Sequence, residues 1–247
     1  RILSLLYNIV DRIYIARIPG VGTTALGAVG LCFPIIVIIT AFSNLFGGGG
    51  APLFSISRGT KDNDTAQKIM NISFTMLCIC AILIMVVGLL FANPILTLFG
   101  ASREALVYAI PYLMIYLIGT LPSMIATGMN PFINAQGYST IGMLSVAIGA
   151  VANIILDPVF IFAMNLGIRG AAIATILSQF LSAAFVLYFL HNKSEFKVQF
   201  VPVKAWYECR KLAKDITSLG TAGFIMQLTN SLVSICANNV LSVTGGN

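Results

Sequence analysis

Asn153 and Asp157 stand four residues apart, with Pro158 directly after, inside a run from Ile141 to Leu166 that carries no other charge. That run is long enough to cross a bilayer. A carboxylate at the centre of such a helix costs about 2.5–3.5 kcal/mol on insertion scales, so something must offset it. A spacing of four places both side chains on one helical face, where the Asn153 amide can share a cation or a proton with Asp157. Pro158 cannot return a hydrogen bond to the carbonyl of Ile154, which frees that oxygen and favours a bend. A carboxylate, an amide and a free carbonyl in one place read as the ion or proton site of a membrane transporter.

The elements that position these groups follow from composition. Hydrophobic residues are 58% of the chain, charged residues 9%, and mean hydropathy is +0.94, against about 25% charged residues in a globular domain. The chain is expected to be an all-α integral membrane protein, multi-pass in the cell membrane and in contact with lipid. Seven apolar segments are read, at about Ile2–Ile18, Thr23–Ser57, Ile69–Leu98, Glu104–Ala135, Thr140–Asn165, Ala171–Leu190 and Ile216–Val243. The first is at the short limit for a span, which suggests that its beginning is missing. The fourth contains Pro111, Pro122, Pro131, Gly119 and Gly128, breaks tolerated where neighbouring helices or a wet cavity satisfy the freed carbonyls. The run Gly47 to Gly50 lacks the Gly-Lys-Ser/Thr of a phosphate loop and reads as close helix contact.

Basic residues fix the orientation. Three alternate connections carry Arg58, Lys61, Lys68, Lys193, Lys197, Lys204, Arg210, Lys211 and Lys214; the other three carry Arg17, Arg103 and Arg169. Nine against three puts the first set in the cytoplasm. The net charge of +6 is thereby a topology signal and calls for no nucleic acid. Asp11 lies eight residues before the outer turn at Pro19 and Asp157 ten before Gly167, which sets both about 12–15 Å below the outer helix ends. Thr175, five residues into segment six, lies at about half that depth. Two nearby aspartates disfavour each other's ionisation, so the pair suits uptake and release of a proton; sodium, a hard cation, suits the same oxygen set. Asp11 could otherwise belong to a snorkelling cluster with Arg12 and Arg17, and Asp157 could serve the kink at Pro158. The five cysteines show no metal-ligand spacing; Cys209 is expected to be a surface thiol and the other four small hydrophobes. His191 reads as an interfacial residue at a helix end.

Tyr7 to Gly20 (YNIVDRIYIARIPG), Asn134 to Gly137 (NAQG), Asn153 to Phe162 (NIILDPVFIF) and Gly167 to Thr175 (GIRGAAIAT) together resemble the multidrug and toxic compound extrusion (MATE) transporters, over essentially the whole chain. The resemblance implies a six-helix amino-terminal lobe with a cation site built from an aspartate on helix one, an Asn-x-x-x-Asp pair on helix five and a threonine on helix six. Here these are Asp11, Asn153 with Asp157, and Thr175, which would hold H+ or Na+ as the coupling ion; no other cofactor is implied. Tyr7, Tyr112 and Asn130 would bind substrate or border the ion site. Residues 1–190 would form the lobe, 191–215 a cytoplasmic amphipathic connection, and 216–247 the first helix of a second, carboxy-terminal lobe that is otherwise missing. The implied activity is antiport, exporting small cationic amphiphiles by alternating access. A lipid-linked oligosaccharide flippase of the same superfamily would call for a more cationic cavity. An intramembrane aspartyl protease would call for Gly-x-Gly-Asp, which neither aspartate has, so no enzyme is expected.

Overall fold

The computed structural model describes residues 2–244; the side chains at positions 2–5, 7 and 242 lie outside the described part. Among the described residues there are eight α-helices and no strand: α1 Ile2–Ala16, α2 Gly22–Gly59, α3 Asn63–Leu98, α4 Arg103–Ile118, α5 Thr120–Ala135, α6 Ser139–Pro158, α7 Ile168–Tyr188 and α8 Trp206–Thr244. Five are long and apolar enough to cross a membrane, and α4 with α5 makes a sixth crossing bent by 56°. α1, with 15 residues, is shorter than a full crossing. The seven expected segments are thus five long helices, one bent pair and one short helix.

Local chemistry sets the breaks. The polar stretch 58–68, expected as a loop, is mostly helical: only Thr60–Asp62 separates α2 from α3. Asp62 starts α3 by accepting from the Thr65 amide at 3.1 Å, and Ser102 starts α4 by accepting from the Ala105 amide at 3.2 Å; both satisfy a donor the helix itself leaves open. The fourth segment breaks at Gly119, while Pro111 and Pro131 lie inside helices. Gly119 is also where Ile176 of α7 packs, closer than a side chain there would allow. Past Pro158 the chain widens into a π turn, Val159–Ala163, before the next connection.

α2 is the centre of the bundle, packed against α1, α3, α4, α5 and α8. Its glycine run makes this possible. A β-carbon at Gly47 would strike the carbonyl of Gly128 in α5, one at Gly49 the carbonyl of Ile216 in α8, and one at Gly50 the Ser73 hydroxyl in α3. Gly48 alone faces open space. On the far side of the α2–α8 crossing, Gly220 repeats the device against the carbonyl of Leu45.

The three basic connections meet at one end. Arg58 pairs with Glu195 at 3.2 Å and donates to the carbonyl of Ala135. Residues 194–202 cross this end without helix or strand, and side chains satisfy their backbone. The amides of Phe196, Gln199 and Val201 donate to Gln136, Asn71 and Thr75, and the carbonyl of Lys197 accepts from Gln67. Phe196 fixes this strap by edge contacts with Phe54. At the opposite end the amide of Asn239 in α8 donates to the carbonyl of Leu98 at 3.4 Å, so α8 runs the full height of the bundle.

Two further expectations change. No helix begins at Ile216: α8 starts at Trp206, so the amphipathic residues 206–215 are its first turns. Cys209 is buried, and Cys236 is the exposed thiol, because Cys209 lies on the side of α8 turned towards the bundle.

Candidate functional site

α1, α6 and α7 bring the four expected residues together. Asp157 is 0% exposed and Asn153 2%, as the one-turn spacing on α6 requires. Asn153 Nδ2 donates to Asp157 Oδ1 at 3.3 Å and lies 3.5 Å from Thr175 Oγ1. The Thr175 hydroxyl donates back to the carbonyl of Ala171, which leaves its lone pairs for the amide. From α1 the Asp11 carboxyl comes within electrostatic reach of that of Asp157. Arg12 sets its guanidinium 5.7 Å from the Phe33 ring centroid and stays within electrostatic reach of Asp11, while the ion pair formed among the described residues is Arg58–Glu195.

The electrostatics of this contact are one-sided. Asp11 Oδ1, Asp157 Oδ2 and Asn153 Oδ1 are all buried without a hydrogen-bond donor. Three acceptor oxygens in one dry place are costly unless a proton or cation joins them. Among the described residues no three His, Cys, Asp or Glu side chains gather. Two acids with neutral oxygen neighbours suit H+ or a hard monovalent cation better than a transition metal.

Beside this cluster a cavity of about 260 Å³ lies between α5, α6 and α7. Thr127, Asn130, Asn153, Thr175, Gln179 and Ser182 supply its polar wall, and no charged side chain lines it. Asn153 and Thr175 thus belong to both the cavity and the carboxylate cluster. Asn130 is held in place by donating to Gly142 and Ser145. Tyr112 is not on the cavity wall; it is buried within electrostatic reach of both aspartates and stacks on Tyr116 with centroids 6.2 Å apart. The side chain of Tyr7 lies outside the described residues. Gln179 and Ser182 were not singled out from the sequence. Their signal was present, since Thr175, Ser178, Gln179 and Ser182 repeat at the spacing of one helical face.

A helical bundle with several helices long and apolar enough to cross a membrane, holding paired acids beside an uncharged polar cavity, defines the class: a polytopic membrane protein. The MatE family profile matches residues 1–159, and the chain belongs to that family. It is 28% identical over 248 residues to the multidrug export protein MepA of Staphylococcus haemolyticus (strain JCSC1435), covering 99% of this chain and 53% of that protein. Its fold is similar to the inward-facing conformation of a multidrug resistance MATE family transporter of the MOP superfamily, with TM-score 0.88 and 30% identity over 98% of this chain and 54% of the other. The outward-facing conformation of a transporter so described matches with TM-score 0.83 and 28% identity, over 93% and 50% of the two chains. The chain spans about half the length of the relatives it matches.

Proposed function

We propose that these residues form the first lobe of an ion-coupled exporter that moves cationic amphiphiles outward by alternating access, together with a second lobe such as its longer relatives have room for. The observation that carries this reading is the set of three donorless oxygens on Asp11, Asp157 and Asn153, of which Asn153, together with Thr175, also lines the neighbouring cavity. A proton or sodium ion entering between the carboxyl groups supplies the missing partner and removes their repulsion. α1 and α6 can then close on each other, and the Asn153 amide shifts with them. That moves the cavity wall, so ion and substrate each bias the packing the other meets. When both carboxylates are free, their charge attracts a cationic substrate while amides and hydroxyls orient it. At about 260 Å³ the cavity is below the usual 300–1,000 Å³ of a complete ligand pocket, which suits a site completed by another lobe. The uncharged lining argues for this over the flippase.

The test is efflux of a fluorescent cation from vesicles holding the full-length protein, under proton and sodium gradients imposed separately. One gradient should drive efflux, and Asp11→Asn or Asp157→Asn should lower the driven rate at least about tenfold. Efflux unchanged by both substitutions, or a response to neither gradient, rejects the reading.

A further inference from the structure

The cytoplasmic half of α8 carries a second arrangement that ion coupling does not use. At about 100° per residue, Tyr207, Arg210, Lys214, Thr217, Thr221, Ile225 and Leu232 fall within a sector roughly 80° wide. The two acids of this stretch, Glu208 and Asp215, point about 120–140° away from its centre by the same count. The stripe is ordered along its length. Tyr207, 83% exposed, comes first, with the Arg210 guanidinium 5.7 Å from its ring centroid. Lys214 follows, then two threonines whose hydroxyls are satisfied by the helix's own carbonyls, then exposed Ile225 and Leu232.

Between this stripe and α3 lies a shallow, open surface groove of about 480 Å³, bordered by Met76 of α3 and by Arg210, Ala213, Lys214, Thr217, Ser218 and Thr221 of α8. Neither neighbouring helix brings an acid to it: α3 has no charged residue from Ile69 to Leu98, and α2 none from Gly22 to Ser57. Among the described residues, Arg210 and Lys214 therefore form a pair of positive charges that no acid of α2 or α3 faces, above an apolar surface. Their depth is that of headgroups, since they lie one to two turns below the interfacial Trp206 and Tyr207.

We propose that this groove binds one anionic phospholipid of the cytoplasmic leaflet, its phosphate held by Arg210 and Lys214 and an acyl chain laid along Met76, Thr217 and Thr221 towards Ile225. Order along the stripe matches order along the lipid: aromatic and basic groups at the headgroup, neutral groups below, aliphatic side chains at chain depth. Two adjacent basic side chains suit a phosphate carrying net negative charge. A zwitterionic lipid brings its own cation and gains less.

The experiment uses the full-length protein in mild detergent, with lipid retention read by native mass spectrometry and thermal midpoint read in parallel. Phosphatidylglycerol should be retained at least about tenfold more than phosphatidylcholine and should raise the midpoint. Arg210→Ala with Lys214→Ala should abolish both effects, while Lys61→Ala with Lys68→Ala, the same charge loss in another cytoplasmic connection, should abolish neither. Inorganic phosphate at equal concentration should not reproduce the shift. Equal retention of the two lipids, equal loss in both double variants, or full stabilisation by inorganic phosphate would each overturn the proposal. The midpoint without added lipid separates misfolding from lost binding, and Arg210→Lys with Lys214→Arg should restore phosphatidylglycerol preference.

Discussion

Asp157→Asn keeps the volume of the side chain and removes one buried acid that lacks a donor at Oδ2. The substituted protein should therefore be at least as stable as the original, even as driven efflux falls. A thermal midpoint that drops by many degrees would show the acid to be structural. Asn153→Ala should behave differently, because the amide is the donor to Asp157 Oδ1. Its loss should cost about 1–3 kcal/mol, the usual penalty for stranding a buried polar group, and clearly less in the Asp157→Asn background; a double-mutant cycle measures the difference. Asn153 and Asp157 were legible in the sequence because the reasons for them are local, a charge in an apolar run and a partner one turn away; Asp11 and Thr175 came from their depth below the outer turns and from the family resemblance. The cavity wall was less so. Hydroxyls and amides are common between membrane helices, and only the crossing of α5 with α7 decides which of them face one space.

Helices meet closely here where side chains are missing, and this gives α2 a sharp test. Gly49→Val forces a side chain into the Ile216 carbonyl, whereas Gly48→Ala enters open space. The first should destabilise by about 1–3 kcal/mol or more and the second should be nearly silent, as read by thermal unfolding. The sequence announced close contact through four adjacent glycines, but it could not say that three of them serve three different helices. Nor could it locate the break in the fourth segment, since prolines are tolerated inside membrane helices and Gly119 yields to Ile176. The start of α3 carries a pH signature. Thr65, through its hydroxyl and its amide, holds the exposed Asp62 carboxyl below the usual aspartate range. A depressed pKa makes the cap complete above about pH 4 and lost as pH falls through the folded-state value. Protection of amides 63–66 against exchange, taken relative to the intrinsic rate at each pH, should fall on acidification, and Asp62→Asn, which still caps, should flatten that dependence.

The orientation inferred from nine basic residues against three has a geometric counterpart, because the three basic connections are in mutual contact at one end. A membrane-impermeant maleimide should label Thr60→Cys only after permeabilisation and Ala101→Cys in intact cells, in a background with Cys236→Ser. The reverse pattern would invert the topology. The crossings could be read from hydropathy, and charge supplies the expected direction that this labelling tests. The strap could not, since nothing in residues 194–202 announces that side chains of α3, and Gln136 just past α5, will take up its backbone. That strap also sets the length of a leash. With Phe196 to Val201 stitched down, only Pro202 to Ala205 remain as slack between the anchored bundle and α8, at most about 14 Å when pulled straight. α8 can swivel against α2 yet cannot drift off, which keeps its local concentration high without further contacts. Extra glycines spliced in beside Val203 would loosen that leash, while the same insertion between Phe196 and Val201 would undo the stitching first.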